Sequence, residues 1–206
     1  MRSMRWFAVP QAARRPFLSK SHRFDPAQSD HLESNRRLRY IEPASVVERM
    51  GIAPGVRLLD LGAGTGFFAS PISTRAGEVV CLDISEKMLS IISERARSKG
   101  AENMTFVKGD IVSLPFSDGS IDHALAAFVY HEVADRPRLV SEVSRVLKPS
   151  GRFTVIDFRK RISFEGPPIW VKKSAKDVVR ATSPWFVEKS RFESKVYYQF
   201  EFSKKT

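Results

Sequence analysis

The chain has 206 residues, 42% hydrophobic and 28% charged, enough for one domain with a complete core. No run approaches the roughly 18 apolar residues of a membrane helix, and the single cysteine, Cys81, excludes an internal disulfide and points to a reducing, cytoplasmic setting. The net charge of +11 sits at the ends: residues 1–24 carry +6 with no acid and residues 159–206 carry +7, leaving the middle at −2.

Basic ends of this kind serve attraction to nucleic acid or anionic surfaces, or simply solvate the periphery; no base-stacking motif accompanies them. Arg14-Arg15-Pro16-Phe17-Leu18 has the look of a twin-arginine export signal, but the following SHRFDPAQSD is polar where an apolar h-region is required. Pro10 and Pro16 interrupt an amphipathic helix. Residues 1–24 are therefore expected to be a flexible basic arm, followed by a single domain over 25–206.

Cap helices are expected over about 30–50, with Leu32, Leu38, Ile41, Val46, Val47 and Met50 as the apolar face and Gly51 as the stop. Val56 to Leu61 is an apolar run of strand length behind the Pro54-Gly55 turn, suited to a strand buried on both faces in a parallel sheet. Asp60 lies near its end, and Gly62, Gly64 and Gly66 follow at alternate positions. Such a turn lets backbone approach a ligand without interference from Cβ atoms. The helix expected from about Phe67 points its free N–H groups at the same place. A dinucleotide fingerprint requires Gly or Ala where this chain has Phe67.

Val79 to Leu82 reads as the second strand, ending in Asp83, where nucleoside-binding α/β sheets place the acid that accepts from ribose hydroxyls. Ser85 is an N-cap candidate for a helix with Met88, Leu89, Ile92 and Ala96 on its apolar stripe. Thr105 to Lys108 is the third strand, ending in Gly109-Asp110-Ile111; a loop-capping aspartate is the other reading of Asp110. The fourth strand runs from Ile121 to about Phe128 and leads into Tyr130-His131-Glu132. Asp135 and Pro137 open a helix with Leu139, Val143, Val146 and Leu147 inward, Lys148-Pro149-Ser150-Gly151 stops it, and Arg152 to Phe158 is the fifth strand. A helix over 174–181 and an antiparallel hairpin of 185–192 with 195–203 complete the chain.

The acid followed by Gly62-x-Gly64-x-Gly66 resembles motif I of the class I S-adenosylmethionine-dependent methyltransferases. The segment Leu114-Pro115-Phe116-Ser117-Asp118-Gly119-Ser120-Ile121-Asp122 is similar to "LPF-x-D-x-S-hD" of the methyltransferase-11-like, UbiE-like branch. Lys148-Pro149-Ser150-Gly151 matches the family's "LKPGG" with serine in place of one glycine. The resemblance covers about 24–203 and is strongest over 56–158. It implies an α/β, Rossmann-like, doubly wound seven-stranded sheet, mostly parallel with an antiparallel final strand. It implies S-adenosylmethionine as cofactor and S-adenosylhomocysteine as product. Asp60, Gly62, Ala63, Gly64 and Gly66 would hold the methionine end, Asp83, Ile84 and Met88 the ribose and its surroundings, and Gly109, Asp110 and Ile111 the adenine. Ala127 and Phe128 would pass beside the methionine part.

His131 is the base candidate at the end of the fourth strand, with Tyr130 lining the acceptor side; a packing or hydrogen-bonded histidine is the competing account. No histidine or cysteine spacing suits a metal. A small-molecule acceptor is favoured by elimination. The Asn/Asp-Pro-Pro-Tyr/Phe signature of exocyclic-amine methylation is absent, no Pro-Cys nucleophile exists, and one cysteine argues against arsenite. An RNA or protein methyltransferase using the basic termini, or an NAD(P)-linked oxidoreductase, are the alternatives. The oligomeric state is left open.

Overall fold

The computed structural model describes residues 6–7, 38–161 and 166–206. The basic arm expected over 1–24, apart from the backbone of Trp6–Phe7, and the first part of the expected cap region lie outside these residues. In chain order the elements are β1 (Trp6–Phe7), α1 (Pro43–Met50), β2 (Arg57–Leu61), α2 (Ala69–Ser73), β3 (Glu78–Asp83), α3 (Glu86–Ser98), β4 (Met104–Lys108), β5 (Ile121–Ala127), α4 (Arg136–Val146), β6 (Leu147–Phe158), α5 (Ala175–Thr182), β7 (Phe186–Glu193) and β8 (Tyr197–Lys204).

The strands form one sheet in the order β1-β4-β3-β2-β5-β6-β8-β7. Strands β4, β3, β2, β5 and β6 are parallel, and β8 runs antiparallel to both β6 and β7. This is the Rossmann-like, doubly wound sheet expected, with the last strand inserted antiparallel. It is one short strand wider than the seven expected: the two residues of β1 pair parallel with Phe106 and Val107 at the β4 edge. A two-residue strand has no periodicity to read.

Helices α3, α4 and α5 begin where the sequence supplies a side-chain cap. Ser85 accepts from the Met88 N–H at 3.4 Å, and Asp135 accepts from the Arg138 N–H. Ser174 and Asp177 form a reciprocal capping box. Pro43 starts α1 and Gly51 ends it in the left-handed region. One difference from expectation lies at the end of α4. The Lys148–Gly151 segment was expected to be a stop outside the sheet, but β6 begins at Leu147 and runs through it. Ser150 absorbs the change of direction with a φ of 61°.

Two apolar layers cover the sheet. On one face Leu59, Leu82, Ala126, Leu139, Val143 and Phe200 are buried under α4 and α5; on the other Met50, Leu58, Cys81, Leu89, Ile92 and Phe106 are buried under α1, α2 and α3. Each such side chain contributes about 1.5–3 kcal/mol by leaving water. The result is a rigid platform whose parallel strands all end on one edge, where open α/β sheets place their ligands.

Beneath that edge runs a buried polar chain. Neutral His123, held down to about 3 by burial and by Arg152, donates from Nε2 to Thr154 Oγ1 at 2.7 Å. Thr154 donates in turn to Glu201, which also accepts from Arg152 and Gln199. Arg49 of α1 closes the chain on Gln199 and on the Tyr197 hydroxyl. The chain therefore ties α1 to β5, β6 and β8.

Candidate active site

The turn after β2 is shaped by what surrounds it. Gly62 and Gly66 have φ of 70° and 86°. A Cβ on Gly62 would lie 2.8 Å from Val129, and one on Gly66 would lie 2.7 Å from Ile92. Only glycine fits there. The Gly62 and Ala63 N–H groups both donate to the Leu82 carbonyl, fastening the turn to β3. Arg95 of α3 donates to the Thr65 carbonyl, while Thr65 Oγ1 is buried without a hydrogen-bond partner among the described residues.

Asp83 ends β3 next to this turn. Its Oδ2 accepts from the Gly64 N–H at 2.9 Å and its Oδ1 from the Ser85 N–H at 2.8 Å. A carboxylate has about four acceptor positions, so each oxygen keeps one for a ligand hydroxyl. Burial raises its pKa, and those N–H bonds oppose the rise. Asp60, 2% exposed, faces the same charge. Burial first, and then Asp83, push its carboxyl up to about 7. A buried acid beside another acid is a place that a cation stabilises.

The adjacent strand supplies Asp110, exposed just beyond β4, whose Oδ1 accepts from the Val112 N–H at 3.1 Å. The loop-capping role and an open face to solvent coexist there. Gly109 is fastened to β3 through its N–H to the Asp83 carbonyl. Ile111 packs at the rim of the core, Met88 is buried at the start of α3, and Ile84 is 46% exposed, an apolar side chain left facing outward. Asp60, Asp83 and Asp110 thus stand on three neighbouring strand ends, as the sequence reading required.

Beyond β5 the arrangement differs from a flat wall. Ala127 is half-buried, whereas Phe128 sits in the left-handed region with φ 56° and turns its ring into an aromatic cluster with Phe68, Phe158 and Tyr197. Such a conformation in a bulky residue costs on the order of 1–3 kcal/mol and is kept where packing over-determines it. The tight 3-10 turn Tyr130–Glu132 follows.

His131 makes a pair that sequence reasoning missed. Its Nδ1 lies 2.7 Å from Asp157 Oδ1 and its own N–H donates to Asp157 Oδ2 at 2.8 Å. Asp157, near the end of β6, is fully buried and also accepts from the Phe158 N–H. A carboxylate accepts only, so the proton of a neutral His131 is held on Nδ1 and the lone pair on Nε2. Burial opposes a charge on His131, but the Asp157 charge and hydrogen bond outweigh it, and the pKa is raised. Asp157 sits in a run of six buried positions, FTVIDF within β6, where an acid breaks a mostly apolar pattern. That break was the available signal. The Tyr130 ring is fully buried, and its hydroxyl, buried without a hydrogen-bond partner among the described residues, is pushed up to about 12, chiefly by burial. Among the described residues no cluster of three or more metal-ligating side chains exists, and no helix is long and apolar enough to cross a membrane.

Residues 59–155, which span the glycine turn, all three carboxylates and His131, match a family profile described as a methyltransferase domain. This stretch is a methyltransferase domain. Over 121 residues the chain is 34% identical to the ubiquinone/menaquinone biosynthesis C-methyltransferase UbiE of Idiomarina loihiensis, a match covering 57% of this chain and 48% of that protein. Over 96 residues it is 43% identical to the biotin biosynthesis bifunctional protein BioHC of Cellvibrio japonicus, covering 47% of this chain and 18% of that one. The chain thus spans less than half the length of these curated relatives. Among solved structures, a SAM-dependent methyltransferase from Aquifex aeolicus superposes with a TM-score of 0.82 at 25% identity, over 88% of this chain and 100% of that one. The methyltransferase domain and the sheet that carries it are therefore shared as a unit.

Proposed function

We propose that the chain transfers a methyl group from S-adenosylmethionine to a small-molecule acceptor. The observation that carries this reading is the trio Asp60, Asp83 and Asp110 on adjacent strand ends around a turn whose glycines admit no side chain. The residues suit that cofactor one by one. Asp60 is a buried acid in need of a cation, which the ammonium of the methionine moiety supplies. Asp83 keeps one acceptor position per oxygen for the two ribose hydroxyls. Asp110 and the apolar Ile111 suit an adenine amine and ring. Phe67, standing where a dinucleotide fingerprint has a small residue, speaks against a nicotinamide cofactor.

When bound, S-adenosylmethionine supplies a methyl group already activated on a sulfonium. The protein's work is then to align the acceptor and keep water out. On this reading the buried cluster of Phe68, Phe128, Phe158 and Tyr197 serves to keep water from one side of the site. His131, oriented by Asp157, removes a proton from the acceptor through Nε2 where the acceptor carries one, and Asp157 fixes the tautomer that allows it. Tyr130 lines the same side.

The test uses methyl-labelled S-adenosylmethionine with the full chain and a cell extract separated into small-molecule, RNA and protein fractions. Label is expected in the small-molecule fraction, and Asp157→Asn should lower the rate by about 10²–10⁴-fold, the worth of a general base, with unchanged donor affinity. Label confined to the RNA or protein fraction overturns the small-acceptor reading in favour of one using the basic termini.

A further inference from the structure

The acceptor side of the site carries charge that the methyl donor does not explain. Helix α4 opens with Asp135 as its N-cap and Arg136 in its first turn. Arg136 Nε is buried without a hydrogen-bond partner among the described residues, and its Cζ lies 5.9 Å from the centroid of the Tyr130 ring. The Tyr130 hydroxyl is likewise unpartnered in a fully buried residue. Helix α5 packs against α4, and Lys173 stands just before its Ser174 cap. The Lys173 carbonyl accepts from the Tyr198 hydroxyl at 3.4 Å, which fastens the start of α5 to β8. Burial, then the Arg136 and Lys160 charges, press the Lys173 ammonium below its ordinary pKa. The acids nearby are engaged: Asp157 holds His131, Glu132 lies 3.9 Å from its Nε2, Asp135 caps α4, and Asp177 caps Ser174 and pairs with Arg180.

We propose that the acceptor carries an oxyanion, phosphate or carboxylate, bound between Arg136, Lys173 and the Tyr130 hydroxyl where the N-termini of α4 and α5 meet beside His131. This rests on the methyl-transfer reading for what the anion belongs to. The buried donors of Tyr130 and Arg136 are what an anion satisfies. Bound there, the anionic end anchors the acceptor on one side of His131 and leaves the rest of the molecule to reach toward Phe128 and the donor turn.

Calorimetric titration of the full chain with inorganic pyrophosphate, and separately with succinate, tests this. Saturable 1:1 binding of at least one is expected, pyrophosphate alone assigning a phosphate-bearing acceptor and succinate alone a carboxylate. Arg136→Gln and Lys173→Gln should each weaken that binding by about tenfold, the loss of one charge-assisted hydrogen bond, while Arg136→Lys retains most of it. Lys189→Gln, on exposed β7, should change it less than about twofold, as for an exposed charge outside the site. Absence of saturable binding by either anion, or equal losses in Lys189→Gln and Arg136→Gln, overturns the proposal. S-adenosylhomocysteine titrated into the same samples separates the two claims. Anion binding without it removes the methyl-transfer reading and leaves the anion site standing, while its binding without either anion does the reverse.

Discussion

Asp60 shows how a single side chain links the empty and the loaded site. Held at about 7 by burial and by Asp83, its carboxyl is largely protonated in mildly acidic solution. A ligand ammonium favours the charged form, so binding below pH 7 expels a proton. Affinity for S-adenosylmethionine should therefore rise with pH by up to about tenfold per unit and level off above roughly 7. Asp60→Asn should bind more weakly and lose this dependence. Calorimetry in two buffers of different ionisation enthalpy reads the proton directly; equal heats in both buffers at pH 6 would remove Asp60 from the cation's neighbourhood. His131 makes the complementary point. Its identity was legible in the sequence, but its meaning was not, because Asp157 lies 26 positions away and reads locally as part of a buried strand.

Among the elements, β8 carries more than its apolar pattern suggests. It buries Tyr197 to Phe202 without a break, yet Gln199 and Glu201 within that run bind Thr154, Arg152 and Arg49. Burial pushes Glu201 up to about 7, against an unfolded value of 4.5, and Asp60 behaves likewise from 3.8. In both cases the native state holds the proton more tightly than the unfolded chain, so stability falls as pH rises from about 4 to about 7. Glu201→Gln should flatten part of that fall, as followed by chemical denaturation at pH 4.5, 6 and 7.5. A variant whose stability declines as steeply as the natural chain would show that Glu201 does not titrate there. Helices α3, α4 and α5 were legible because each carries its own cap. The start of β6 was not, because Leu147 already pairs with Ile121 of β5, and the turn residues Lys148 to Gly151 fall in the register shift before Arg152 pairs with His123.

At the scale of the whole molecule, the parallel core and the donor side could be read from the chain because each strand ends in a short-range signal: an acid, a glycine turn, a capped helix. The three carboxylates come together through sheet order, which the repeating strand–acid–loop unit already implied. What sequence order conceals is the opposite side, where Asp157 of β6 meets His131 beyond β5 and α4 packs against α5. Tyr130, Arg136, Asp157 and Lys173 have no common motif, and only the fold assembles them. On the proposed reading the two sides divide the work: carboxylates for a cationic cofactor on one, cations and a histidine for the acceptor on the other. The most direct test of the donor side is calorimetric titration of S-adenosylmethionine and S-adenosylhomocysteine into the natural chain and into Asp83→Ala, with folding checked by circular dichroism. One molecule of each should bind per chain, and the substitution should cost about 1–3 kcal/mol, the scale of lost hydrogen bonds to a charged group. Folded natural chain that takes up neither compound would contradict the account at its root.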